Sequence, residues 1–70
     1  MNTAEHVRDA VLSWEGVTVR NGHARLGRED LGELPRRVLL PWRVNRLIER
    51  FRARYEQAAA ALDQRAGVLA

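Results

Sequence analysis

GVTVRNGHARLG, residues 16–27, carries the strongest local signal in the chain. Asn21-Gly22 sits between two short runs in which apolar and polar residues alternate. That is the signature of a β-hairpin closed by a two-residue type I′ turn, whose central residues both need positive φ. The turn sets the register: Arg20 opposite His23, Val19 opposite Ala24, Thr18 opposite Arg25 and Val17 opposite Leu26. Side chains alternate along a strand, so Val17, Val19, Ala24 and Leu26 share one face, and Thr18, Arg20, His23 and Arg25 share the other. One face is expected to be core; the other is wet and carries a small basic cluster. A two-stranded hairpin is marginal alone in water, so helices must cover it.

Towards the N-terminus, Ala4, Val7, Ala10, Val11 and Trp14 recur at helical spacing and predict an amphipathic helix over 4–14. Asn2 followed by Glu5 resembles a capping box, and Gly16 supplies a stop. Towards the C-terminus, residues 27–40 read as a connection with one short helical turn at Asp30 to Leu34, bracketed by Pro35 and Pro41. The carboxylates Glu29, Asp30 and Glu33 suit the positive start of such a turn better than a Mg²⁺ or Ca²⁺ site. Pro41 is favoured at a first helical position, which predicts a long helix over 41–66 that stops near Gly67. Its seam, Val44, Ile48, Phe51, Tyr55, Ala58 and Leu62 with Leu47 beside it, has coiled-coil spacing.

The expected fold is therefore α+β, one small domain over 1–70: an N-terminal helix (4–14), a two-stranded antiparallel hairpin (17–26), a connection (27–40) and a long C-terminal helix (41–66). Val7, Val11, Trp14, Val17, Val19, Leu26, Val44, Leu47, Ile48, Phe51 and Tyr55 should form the core. At 1.5 Å per residue the second helix would be ~38 Å long and the first ~16 Å. The short elements cannot cover the whole seam, so its end around Ala58 and Leu62 is a candidate for self-association or a protein partner. Small chains without staples often gain stability by associating.

Twelve basic residues, all arginine, face nine acidic ones, for a formal charge of +3. The missing lysine fits the Ala-, Gly-, Val-, Leu- and Arg-rich composition of a GC-rich genome, so the placement of the arginines says more than their number. RVNRLIERFRARY, residues 43–55, holds five of them. On a helix, Arg46, Arg50 and Arg54 stack four apart, a spacing at which like charges cost roughly 0.2–0.5 kcal/mol per pair. Arg43, Arg46, Arg50 and Arg54 fall on one flank of the seam, and Glu49, Glu56 and Asp63 on the other, where Arg52 and Glu56 make a favourable i,i+4 pair. The arginine flank could follow the phosphates of a nucleic acid, with Arg20 and Arg25 nearby. It could also meet the acidic flank of a second copy, or stay solvated.

Catalytic chemistry is absent from the sequence signals. With no cysteine there is neither a disulfide nor a Cys-based zinc site, and two histidines, His6 and His23, are too few for a metal centre. Ser13, the only serine, lies inside the first helix without a nucleophile-elbow pattern. LGREDLG has the wrong spacing for a phosphate loop. Trp14 and Trp42 read as core and rim, not as an array of stacking platforms. The reading is a non-enzyme without cofactor. The charged N-terminus does not resemble a signal peptide, and AAAAL (58–62) is too short to span a bilayer. A cytoplasmic protein is expected, with no membrane association.

VLSWEGVTVRNGHARLGREDLGELPRRV together with IERFRARYEQ resembles the small bacterial domain labelled "luciferase family". The matching positions are Ser13 to Thr18, Leu26 to Gly32, Pro35 to Val38 and Ile48 to Gln57. The chain is shorter than that domain, and Gly32 is followed by Glu33-Leu34 where the family carries histidines. The resemblance implies no light-emitting activity. In layout only, helix–hairpin–helix in seventy residues is also similar to the phage head–tail joining protein W. The functional expectation is a non-enzymatic interaction or assembly module acting through the C-terminal helix at Ala58 and Leu62. The alternative is a nucleic-acid-binding protein using Arg43, Arg46, Arg50 and Arg54.

Overall fold

The computed structural model describes residues 3–37 and 40–69, with side chains as far as Gln64. Asn2 of the expected capping box and Val38 of the resemblance lie outside the described residues. Element order is α1 (Thr3–Leu12), β1 (Val17–Arg20), β2 (His23–Leu26), β3 (Glu29–Glu33) and α2 (Pro41–Leu69). The class is α+β, but the sheet has three antiparallel strands in the order β1-β2-β3, not two.

The first hairpin forms as its turn dictates. Asn21 and Gly22 take φ of 53° and 76°, and all four expected strand pairs are present. Ala24 and Leu26 are buried, while Thr18 and Arg20 are exposed. α1 ends at Leu12, two residues before the expected Trp14. There Ser13 N–H is shared between the Asp9 and Ala10 carbonyls and Trp14 N–H turns to Val11, so the last turn tightens. α2 continues through Gly67 to Leu69, so that glycine does not act as a stop.

The connection expected over 27–40, with its helical turn at Asp30 to Leu34, is where the sequence reading fails. Gly27 and Arg28 form a second two-residue turn that places Glu29 opposite Leu26. Gly27 has a φ of 62° and Arg28 is not in the positive region, the pattern of a type II′ turn with glycine first. The strand then bulges. Arg25 pairs with Asp30 and Ala24 with Gly32, which leaves Leu31 as an extra residue. Gly32 sits at φ 122°, and its N–H donates to Asp30 Oδ1 at 2.9 Å.

The bulge turns Leu31 into the core. Leu31, Val7 and Val11 are the largest fully buried side chains, and Leu34 joins them. Ala24, Leu26, Val44, Phe51 and Ala58 complete the buried cluster, with Trp14, Val17, Val19, Leu47, Ile48 and Tyr55 packed at its margin. Thr3 and His6 lie beside Pro41, Val44 and Asn45, and the Trp14 ring packs at a tilt on Tyr55 with centroids 5.4 Å apart, so α1 and α2 run side by side in the same direction. The Tyr55 hydroxyl donates to the Glu15 carbonyl at 2.8 Å and ties the α1–β1 turn to α2.

Candidate interaction surface on the long helix

β3 decides which arginines are free. Arg54 donates through Nη1 to the Leu31 carbonyl at 3.3 Å, satisfying an acceptor that the bulge leaves outside the strand ladder. A Cβ on Gly32 would lie 2.9 Å from the same nitrogen and 3.3 Å from Phe51 Cε1. Glycine is thus needed there both for its φ and for the close approach of α2. Arg54, one of the four arginines of the expected nucleic-acid flank, serves the fold.

Arg43, Arg46 and Arg50 are different. All three are exposed, and among the described residues none is in an ion pair. The guanidinium carbons of Arg43 and Arg46 lie 5.2 and 5.9 Å from the Trp42 ring centroid, within cation–π range. Trp42 is 55% exposed, and Leu40 beside it 57%. Trp42, Arg43, Arg46, Leu47 and Arg50 line a groove of about 360 Å³ without a carboxylate. Arg50 also lines the adjoining groove next to Gly32 and Glu33.

The other tryptophan shows the contrasting use of the same contact. Arg52 lies 5.2 Å from the Trp14 centroid and 5.1 Å from that of Tyr55, but its Nε meets Glu56 Oε1 at 3.3 Å. That cation is neutralised and covers the half-buried Trp14–Tyr55 pair. Among the described residues no such carboxylate pairs with the arginines at Trp42.

The chain was compared with protein-family models, curated proteins and solved structures, and it matches none of them.

Arg20 and Arg25 do not join the helical arginines. They lie on the sheet face away from the buried Ala24 and Leu26, where β3 brings carboxylates among them. His23 Nδ1 is 3.2 Å from Asp30 Oδ2, Glu33 is its strand partner, and Arg25 turns to the Arg28 carbonyl. The basic cluster expected on the hairpin is thus balanced by β3. Glu29, Asp30 and Glu33 stand on a strand, not at a helix start. Among the described residues no group of three or more His, Cys, Asp or Glu side chains could hold a metal ion, and no helix is long and apolar enough to cross a membrane.

The Gly32 N–H, and after it the His23 imidazole, hold the Asp30 carboxyl below its ordinary value of 3.8. A lowered folded-state value stabilises the fold above the ordinary carboxylate range, and that contribution fades as pH falls through the lowered value. The carboxyl of Asp30 should therefore titrate below 3.8 in an NMR pH series. Asp30→Asn keeps an acceptor for Gly32 and should flatten the acid limb of the melting curve. A normal titration would show that the bulge bond does not persist in solution.

Of the two residues expected to carry self-association, Ala58 is 6% exposed, closed in beside Leu31 of β3. Leu62, one turn on, is 40% exposed.

Proposed function

We propose that the protein is a non-enzymatic nucleic-acid-binding module whose contact surface is the N-terminal half of α2. The observation that carries this reading is the groove at Trp42, where two unneutralised arginines lie over a half-exposed indole and a third, Arg50, lines the groove further along the helix. Arginine forks bond phosphate bidentately and are weakly hydrated, and an all-cationic, partly apolar groove suits a polyanion with flat bases. Three phosphate contacts would give a log–log salt slope of about −2 to −3, at roughly −0.7 per contact on single strands and −0.9 on duplex. The test is fluorescence anisotropy of labelled DNA and RNA at several salt concentrations. A salt-independent signal, or none at low salt, removes the reading.

A second reading keeps the assembly module, and the exposure of Leu62 on the seam is what favours it. A coiled-coil contact there would bury Leu62 against a second copy. Light scattering should then show a dimer that Leu62→Asp dissociates. A monomer at high protein concentration rejects this reading.

A further inference from the structure

We infer that the groove on α2 takes single-stranded in preference to duplex nucleic acid, with one base stacked on Trp42 and its neighbouring phosphates held by Arg43, Arg46 and Arg50. The inference rests on the nucleic-acid reading above and adds the form of the strand. An aromatic platform can stack only on a base whose face is open; in a duplex both faces are covered by neighbouring pairs. Trp42 leaves 55% of its surface to solvent at the side of a helix. The guanidinium carbons of the exposed Arg43 and Arg46 lie over its ring at 5.2 and 5.9 Å, so an incoming base stacks by displacing a guanidinium from the ring towards the adjoining phosphate. A duplex backbone would need the arginines alone and would leave the indole without a use.

Spacing agrees with this. Arg43 to Arg50 spans ~10 Å of helix rise, room for a short run of backbone phosphates on one strand. Trp42 lies at one end of that row, so the stacked base caps a short run of phosphates. Leu47 adds apolar surface to the groove, and no lining carboxylate repels the backbone. The internal control is Trp14, whose cation is paired and whose ring packs on Tyr55. The chain thus uses one tryptophan inward and keeps the other at the surface under unpaired cations.

The test uses Trp14→Phe, which leaves Trp42 as the sole tryptophan and touches nothing in the groove. Its emission is followed on titration with oligo(dT), with the oligo(dA)·oligo(dT) duplex and with poly-glutamate. Oligo(dT) should quench Trp42, and the duplex should not. In the unaltered background, Trp42→Ala should weaken oligo(dT) binding about tenfold and Trp42→Phe much less. This second arm reads the same contact should Trp14→Phe fail to fold. Equal binding of strand and duplex without quenching overturns the inference and leaves the nucleic-acid reading standing. No binding of either at low salt overturns both. Poly-glutamate binding as tight as oligo(dT), insensitive to Trp42, overturns both in favour of an acidic protein partner.

Discussion

Phe51→Ala should lower the melting temperature by at least ~15 °C and leave part of the chain unfolded at room temperature. Phe51 is 4% exposed and sits where α2 crosses the bulge of β3, its ring edge 3.3 Å from the place a Gly32 Cβ would occupy. Truncating a buried Phe costs roughly 3–5 kcal/mol, because transfer energy is lost and the cavity cannot close fully. A 70-residue chain has a total stability of only about 4–10 kcal/mol. The cost is therefore roughly a third of the whole or more.

Collapse into the gap is opposed from both sides. Gly32 has no side chain to move in, and Leu31 is already held inward by the bulge. Phe51→Leu, which leaves a smaller hole, should cost roughly 1–2 kcal/mol. Far-UV circular dichroism melts of the two variants would decide the matter. If Phe51→Ala melts within a few degrees of the parent, the contact between α2 and β3 does not organise the core.

The first hairpin was legible to the residue, because Asn-Gly permits one turn and that turn permits one register. The helices were legible from their apolar stripes, with ends displaced where Ser13 tightens a turn and where Gly67 is carried along by the helix. β3 was not legible. EDLGE offers one apolar residue among carboxylates and a glycine, so neither alternation nor intrinsic preference marks it as a strand. Pairing with β2 makes it one, and the bulge hides the period by moving Leu31 a position out of step. The only local trace was Gly27-Arg28, a two-residue spacing with glycine first.

That one strand accounts for most of what the sequence misplaced at the surface. It brings Leu31 into the buried cluster that includes Ala58. It supplies the Leu31 carbonyl that takes Arg54 out of the arginine flank. It also sets Asp30 and Glu33 among the basic residues of the wet face. Trp42 needed no β3 to be found; it was read as rim, and only the positions of Arg43 and Arg46 against its ring distinguish it from an idle surface residue.

Because Arg54 is spent on the fold, the decisive charge reversal is Arg46→Glu with Arg50→Glu. The pair lowers the formal charge by four, from +3, and removes two of the three free cations of the groove. Binding near physiological salt should shift from roughly micromolar to weaker than ~100 µM, and the salt slope should shrink by roughly 1.5–2. Folding should survive, since both side chains are exposed and neither is in an ion pair among the described residues. The new carboxylates would face Arg43 and Arg54 at favourable helical spacings and each other at an unfavourable one, a balance of a few tenths of a kcal/mol. Arg8→Glu with Arg28→Glu changes the net charge equally at exposed positions on α1 and on the turn before β3. If that control weakens binding as much as the groove variant does, attraction is spread over the whole molecule and the groove is not the site. If the control binds like the parent while the groove variant does not, the arginines at Trp42 carry the contact, and the cost of stacking like charges along α2 is repaid by phosphate.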